Sequence, residues 1–286
     1  MQSNNPVWSR SEGFSQQTSR AGHAQQGYTD PSSWNISQGG QPTDPTHGYA
    51  PPAPPRPTER MTIDSVVQST GISLAVVIVA AFATWVLTPN LNNPFVDLSP
   101  FYAAITIGSL GAFGLSMVNS FKRVCSPALV IAFAALEGVA LGGISKIIDA
   151  QVGGGVVMQA VLGTFAAFAG TLAAYKFMNI RVGARGRKFV ISAMFGLVGL
   201  SVLELVLGMF GISTGIYNDG AIGILFALAG LALGVFMLLM DFDNVEQGIA
   251  YGLDKRESWR AAFGITVSLV WIYTNLLRLL AFFSDN

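Results

Sequence analysis

From Thr70 onward, apolar stretches of about 20 residues alternate with short polar joints, and each stretch can cross about 30 Å of hydrocarbon as a helix. Seven such stretches are read, at residues 70–87, 99–118, 127–148, 154–178, 189–210, 221–240 and 261–283. One long joint, Asp241 to Arg260, separates the last two. Residues 1–60 show no such pattern. They are rich in Gln, Ser, Gly and Pro, include the run Pro51-Pro52-Ala53-Pro54-Pro55-Arg56-Pro57, and cannot bury enough apolar surface to offset chain entropy. The pattern predicts an all-α membrane protein with a disordered tail over 1–60 and a seven-helix transmembrane domain over 61–286.

Composition agrees with that class. Hydrophobic residues make up 51% of the 286-residue chain and charged residues 11%. An ordinary soluble domain carries about 25% charged residues, so this chain lacks the polar surface of a soluble globule. Lys and Arg cluster in three joints, at Lys122 and Arg123, at Arg181, Arg185, Arg187 and Lys188, and at Lys255, Arg256 and Arg260. The positive-inside rule places these joints and the N-terminal tail in the cytoplasm and the C-terminus outside. The net charge is zero and no strongly basic block occurs, which argues against a nucleic-acid partner. The single cysteine, Cys125, has no intramolecular partner and reads as a small packing residue.

Catalytic chemistry is not suggested. His23 and His47 lie outside the apolar region, so no histidine can meet a serine or hold a metal within the membrane. No zinc-protease or phosphate-loop motif occurs, and Gly183-Ala184-Arg185-Gly186-Arg187-Lys188 reads as a positive-inside anchor. A non-enzyme without a cofactor is therefore expected. Gly108, Gly111 and Gly114, the pair Gly138 and Gly142, and the pair Gly230 and Gly234 place small residues at helical spacing and are expected to let helices approach closely.

Ionisable residues near or within the apolar stretches are few, and such residues are costly to keep there. Glu137 falls mid-way along the third stretch, roughly 15 Å from its start by helical rise. It must face the bundle interior, either as a structural group bonded to another helix or as part of an ion path. Glu204 and Arg278 form a candidate structural ion pair, with snorkelling to the interface as the alternative for Arg278. Lys146 and Lys176, near helix ends, are expected to snorkel. Asp241 and Asp243 point about 200° apart on a helix and cannot share one site facing the bundle. Asp243 and Glu246 share a face, which makes them the candidate pair for a shared proton or a transiently bound cation. Alternatively, all three carboxylates are solvated at the membrane surface and balanced by Lys255, Arg256 and Arg260.

Taken together, seven spans, Glu137-Gly138 in the third, the acidic exit from the sixth and Arg278 near the end of the seventh resemble the transmembrane Bax inhibitor motif family, in its bacterial YccA-like branch. Asn5-Pro6-Val7-Trp8-Ser9-Arg10, Asn119-Ser120-Phe121-Lys122 and Ser126-Pro127-Ala128 resemble its longer, tailed members. The resemblance implies a central helix wrapped by the others and a calcium leak whose opening depends on pH. In that scheme an aspartate on the sixth helix and one on the seventh share a proton. Asp243 falls on the sixth-helix position, whereas the seventh-helix position falls on Ser268, and no acid occurs from Ala261 to Ser284. The pH gate is thus the part of the scheme that this sequence does not supply.

The expected function is a calcium leak, with Asp243, Glu137, Glu246, Ser268 and Asp241 along or beside the ion path. The alternative, also implied by bacterial relatives, is a non-conducting regulator that engages a membrane-anchored ATP-dependent protease through the tail. Either role belongs to a multi-pass protein whose partner is the lipid bilayer, expected in the bacterial cytoplasmic membrane.

Overall fold

The computed structural model describes residues 59–284 except 90, 92–94, 96, 123, 154, 179 and 213–219. The expected tail lies outside the described residues save for Glu59 and Arg60. Among the described residues the helices are α1 (Ile63–Leu87), α2 (Ser99–Phe121), α3 (Pro127–Val152), α4 (Val156–Met178), α5 (Ala184–Met209), α6 (Ala221–Ala250) and α7 (Glu257–Ser284). All seven are long and apolar enough to cross a membrane, and the chain is a multi-pass membrane protein.

Local chemistry sets several of the boundaries. Helix α1 starts seven residues before the expected Thr70 because Thr62 and Ser65 form a reciprocal capping box. Its next turns carry Ser65, Ser69 and Ser73, all buried on one face. The Ser69 and Ser73 hydroxyls each donate to the carbonyl four residues back, whereas the Ser65 hydroxyl meets that of Ser258 on α7 at 2.6 Å. Pro127 opens α3, where its missing N–H is no loss, and Gly153 ends it at φ 95°.

The largest departure from the sequence expectation is in α6. Asp241 to Ala250 do not belong to a joint; they continue the helix, which reaches roughly 45 Å at 1.5 Å per residue. The polar side chains there find partners on neighbouring helices, and Phe242 is buried against Phe168 and Tyr175. Helix propagation therefore outlasts the apolar run. The turn to α7 is short, through Gly252 at φ 64°.

Helix α7 is central, touching α1, α3, α4 and α6, whereas among the described residues α2 packs only on α3 and α5 only on α6. Ile272 and Leu277 of α7 and Leu238 of α6 are among the most completely buried side chains. Small residues make the close contacts: Gly230 faces Asn275, Gly234 faces Ile272 and Trp271, and Gly108 lies against the α3 backbone at Leu136 and Ala140. Gly114 departs from the expected pattern, with nothing near the position a Cβ would take.

Polar bonds tie the helices together. The Lys146 ammonium does more than snorkel: it donates to the Trp85 carbonyl at 2.8 Å and to the Thr88 carbonyl and hydroxyl at 2.6 and 2.8 Å, closing the C-terminus of α1. The Arg278 guanidinium lies over the rings of Phe226 and Phe282, 5.3 and 5.5 Å from their centroids. Lys176 is exposed near the end of α4.

Ahead of α1, residues 59–61 form a strap on the α6–α7 turn. The Met61 N–H donates to the Leu253 carbonyl and the Lys255 N–H to the Glu59 carbonyl, both at 2.7 Å. Lys255 also pairs with the Glu59 carboxylate, and this hydrogen bond and charge hold Glu59 below the usual glutamate range. Met61 is buried against Gly248 of α6.

Candidate functional site

Gly230, Gly234 and Asp241 share one face of α6, since 234 and 241 are seven residues apart and nearly eclipsed. This is the face that meets α7. Asp241 accordingly enters between Gly264 and Ser268, one turn apart on α7. Its Oδ2 accepts the Ser268 hydroxyl at 2.5 Å, and its Oδ1 lies 2.9 Å from the place a Cβ on Gly264 would occupy. The sequence assignment of Ser268 to Asp243 is corrected here: Ser268 faces Asp241. Counting along the seventh span located the serine, but treating the acidic segment as an exit from the helix hid which aspartate shares the face of the two glycines.

Asp243 points the other way, as its two-residue offset requires. It is buried, and its Oδ1 accepts the Tyr175 hydroxyl of α4 at 3.2 Å. The same hydroxyl lies 2.5 Å from Glu246 Oε2, and Glu246 Oε1 pairs with Arg181 at 2.8 Å. Asp243 and Glu246 are thus brought together through Tyr175, near the joint that supplies Arg181. One phenol proton cannot fully satisfy two carboxylate oxygens, so the pair retains acceptor capacity for a cation. Among the described residues no group of three His, Cys, Asp or Glu side chains converges. A hard cation such as calcium takes six to eight oxygens, so a two-carboxylate site holds one only with water or main-chain help.

Glu137 is half-buried on α3. Helices α3 and α7 run parallel, with Phe133 packed edge-on to Phe263 and Ser145 bonded to Tyr273 at 2.6 Å. One turn beyond Phe133, Glu137 therefore falls near the level of Ser268 and Asp241. Among the described residues no hydrogen bond joins it to them: the Ser268 hydroxyl is given to Asp241, and α3 and α6 make no helix contact. Glu204 is half-buried on α5.

Sequence reasoning missed Tyr175 and Gly264. A tyrosine near the end of an apolar stretch needs a partner for its hydroxyl, and Gly264 and Ser268 form a small-residue pair at i, i+4. The basic joints prove to share one end of the bundle: Arg260 donates to the Lys122 carbonyl at 3.3 Å, and Arg187 to Asn244 at 2.8 Å.

Compared with known proteins, the chain matches the family model described as Bax inhibitor 1 like over residues 5–285. No curated protein matches it.

Proposed function

We propose that this chain, which belongs to the Bax inhibitor 1 like family, is a cation leak of the bacterial cytoplasmic membrane, with calcium as the permeant ion and the basic-joint end in the cytoplasm. The observation that carries this reading is Asp241, a carboxylate set against the central helix inside an apolar bundle. Packing alone would be served by an apolar side chain there, since polar burial costs free energy. Asp243 and Glu246 form a second station nearer the basic joints, reached through Tyr175. Where two acids would repel each other, Asp241 and Ser268 offer one carboxylate and one hydroxyl, so the proposed leak has no two-carboxylate gate at this contact. Glu137 stands at a similar depth on another side of α7 and would add negative potential there.

The direct test is calcium entry into liposomes containing the full chain, compared with protein-free vesicles. Entry should be faster with protein, and Asp243→Asn should lower it about threefold, the order expected from one carboxylate–cation contact of under about 1 kcal/mol. Entry equal to that of empty vesicles would remove the proposal.

The strap favours a second role beside the leak. Residues 1–58 lead directly into Glu59–Met61, which are bonded to the turn that carries α6 into α7. A membrane-anchored ATP-dependent protease engaging the tail would thereby pull on the helix that carries Asp241. Deleting residues up to Pro57 is expected to abolish co-purification with such a protease while leaving calcium entry unchanged. Retained co-purification would rule the tail out as the handle.

A further inference from the structure

A cavity of about 510 Å³ lies between α1 and α4, two helices that both touch α7 but, among the described residues, not each other. Its floor is Leu269, Val270 and Tyr273 of α7. At 100° per residue these lie opposite Gly264, Ser268 and Asn275, the face turned to α6. The cavity is therefore separate from the Asp241 contact. Its sides are apolar, and the rim residues Phe82 and Met158 are 68% and 62% exposed, so the opening faces the hydrocarbon of the bilayer.

The end of the cavity away from the basic joints is different. Ser145 and Tyr273 bond each other there, and half-buried Asp149, in the last turn of α3, lines the same end. The nearby cation is committed elsewhere: all three protons of the Lys146 ammonium are matched by acceptors at the end of α1. The Asp149 carboxylate is the uncommitted charge at this mouth, with no hydrogen bond or ion pair to a side chain among the described residues. An apolar slot ending at a carboxylate is complementary to an amphiphile with a hydrocarbon tail and a cationic head. Pockets of this size hold drug-sized ligands, and one acyl tail is comparable.

We propose that this groove is a binding site for one membrane phospholipid with a primary ammonium headgroup, its tail against α7 and its ammonium at Asp149. The test uses the purified full chain, stripped of lipid in detergent and then given phosphatidylethanolamine or phosphatidylglycerol with identical tails. Retained lipid is counted by native mass spectrometry. The wild type should hold one phosphatidylethanolamine with about fivefold preference, the order of one partly exposed charge pair. Asp149→Asn should equalise the two headgroups, and Val161→Phe, which fills the slot, should reduce retention of both at an unchanged unfolding temperature. Equal retention of both lipids by the wild type would mean ordinary surrounding lipid and overturn the site. So would a headgroup preference that survives Asp149→Asn.

Discussion

In liposomes carrying the full chain, Asp241→Asn is expected to cut calcium entry by about tenfold or more, equivalent to about 1.4 kcal/mol, while Ser268→Ala raises it. Asparagine fits beside Gly264 as aspartate does, and its side-chain oxygen can still accept the Ser268 hydroxyl. The substitution therefore changes charge and little else, and a loss of flux reports the carboxylate–cation contact. Ser268→Ala does the reverse. A hydrogen bond to a charged acceptor contributes roughly 1.5–3 kcal/mol, and in this protein the hydroxyl occupies an oxygen that a passing cation would need. Removing the donor frees that oxygen while leaving the charge in place, so entry should rise several-fold. Wild-type flux in Asp241→Asn, at a matched unfolding temperature, would show that ions do not pass this contact. Reduced flux in Ser268→Ala would make the serine a ligand on the path and not a competitor for the carboxylate.

How far this site could be read beforehand depends on which physical signal each residue leaves. The spans were legible because hydrocarbon demands about 20 apolar residues per crossing, and the helices lie over all seven expected stretches. The end of α6 was not legible. Three carboxylates within six residues mark a membrane surface on polarity alone, yet Ser268, Tyr175 and Arg181, all distant in sequence, bond to them within a continuing helix. The 200° offset of Asp241 and Asp243 and the shared face of Asp243 and Glu246 were readable, since both follow from helical geometry. Which aspartate meets α7 required knowing that the helix runs unbroken from Gly230 to Asp241. The groove at Asp149 left no signal, because it depends on α1 and α4 staying apart, a property of the assembled bundle.

Gly138→Ala and Gly142→Ala should each destabilise the protein by about 1–3 kcal/mol, the usual cost of overpacking, whereas Gly114→Ala should be neutral. Helices α1 and α3 meet backbone to backbone along this seam. A methyl at position 138 would collide with the Val77 carbonyl and come within 2.7 Å of the Ala80 Cβ, and one at 142 would collide with the Ala81 carbonyl. Neither obstacle is the far end of a flexible side chain, so relief requires the two helices to separate. Gly111→Ala is the graded case, because its nearest obstacle, at 2.8 Å, is the tip of the Leu136 side chain, which can turn away. The double variant at 138 and 142 should cost less than the sum of the singles, since one separation relieves both collisions. Thermal unfolding of the detergent-purified full chain ranks the four. If Gly142→Ala is no less stable than Gly114→Ala, the α1–α3 seam is looser than its geometry indicates. If the order holds, the seam that fixes α1 against α3 also sets one wall of the groove, for Gly142 and Ala81 both line it.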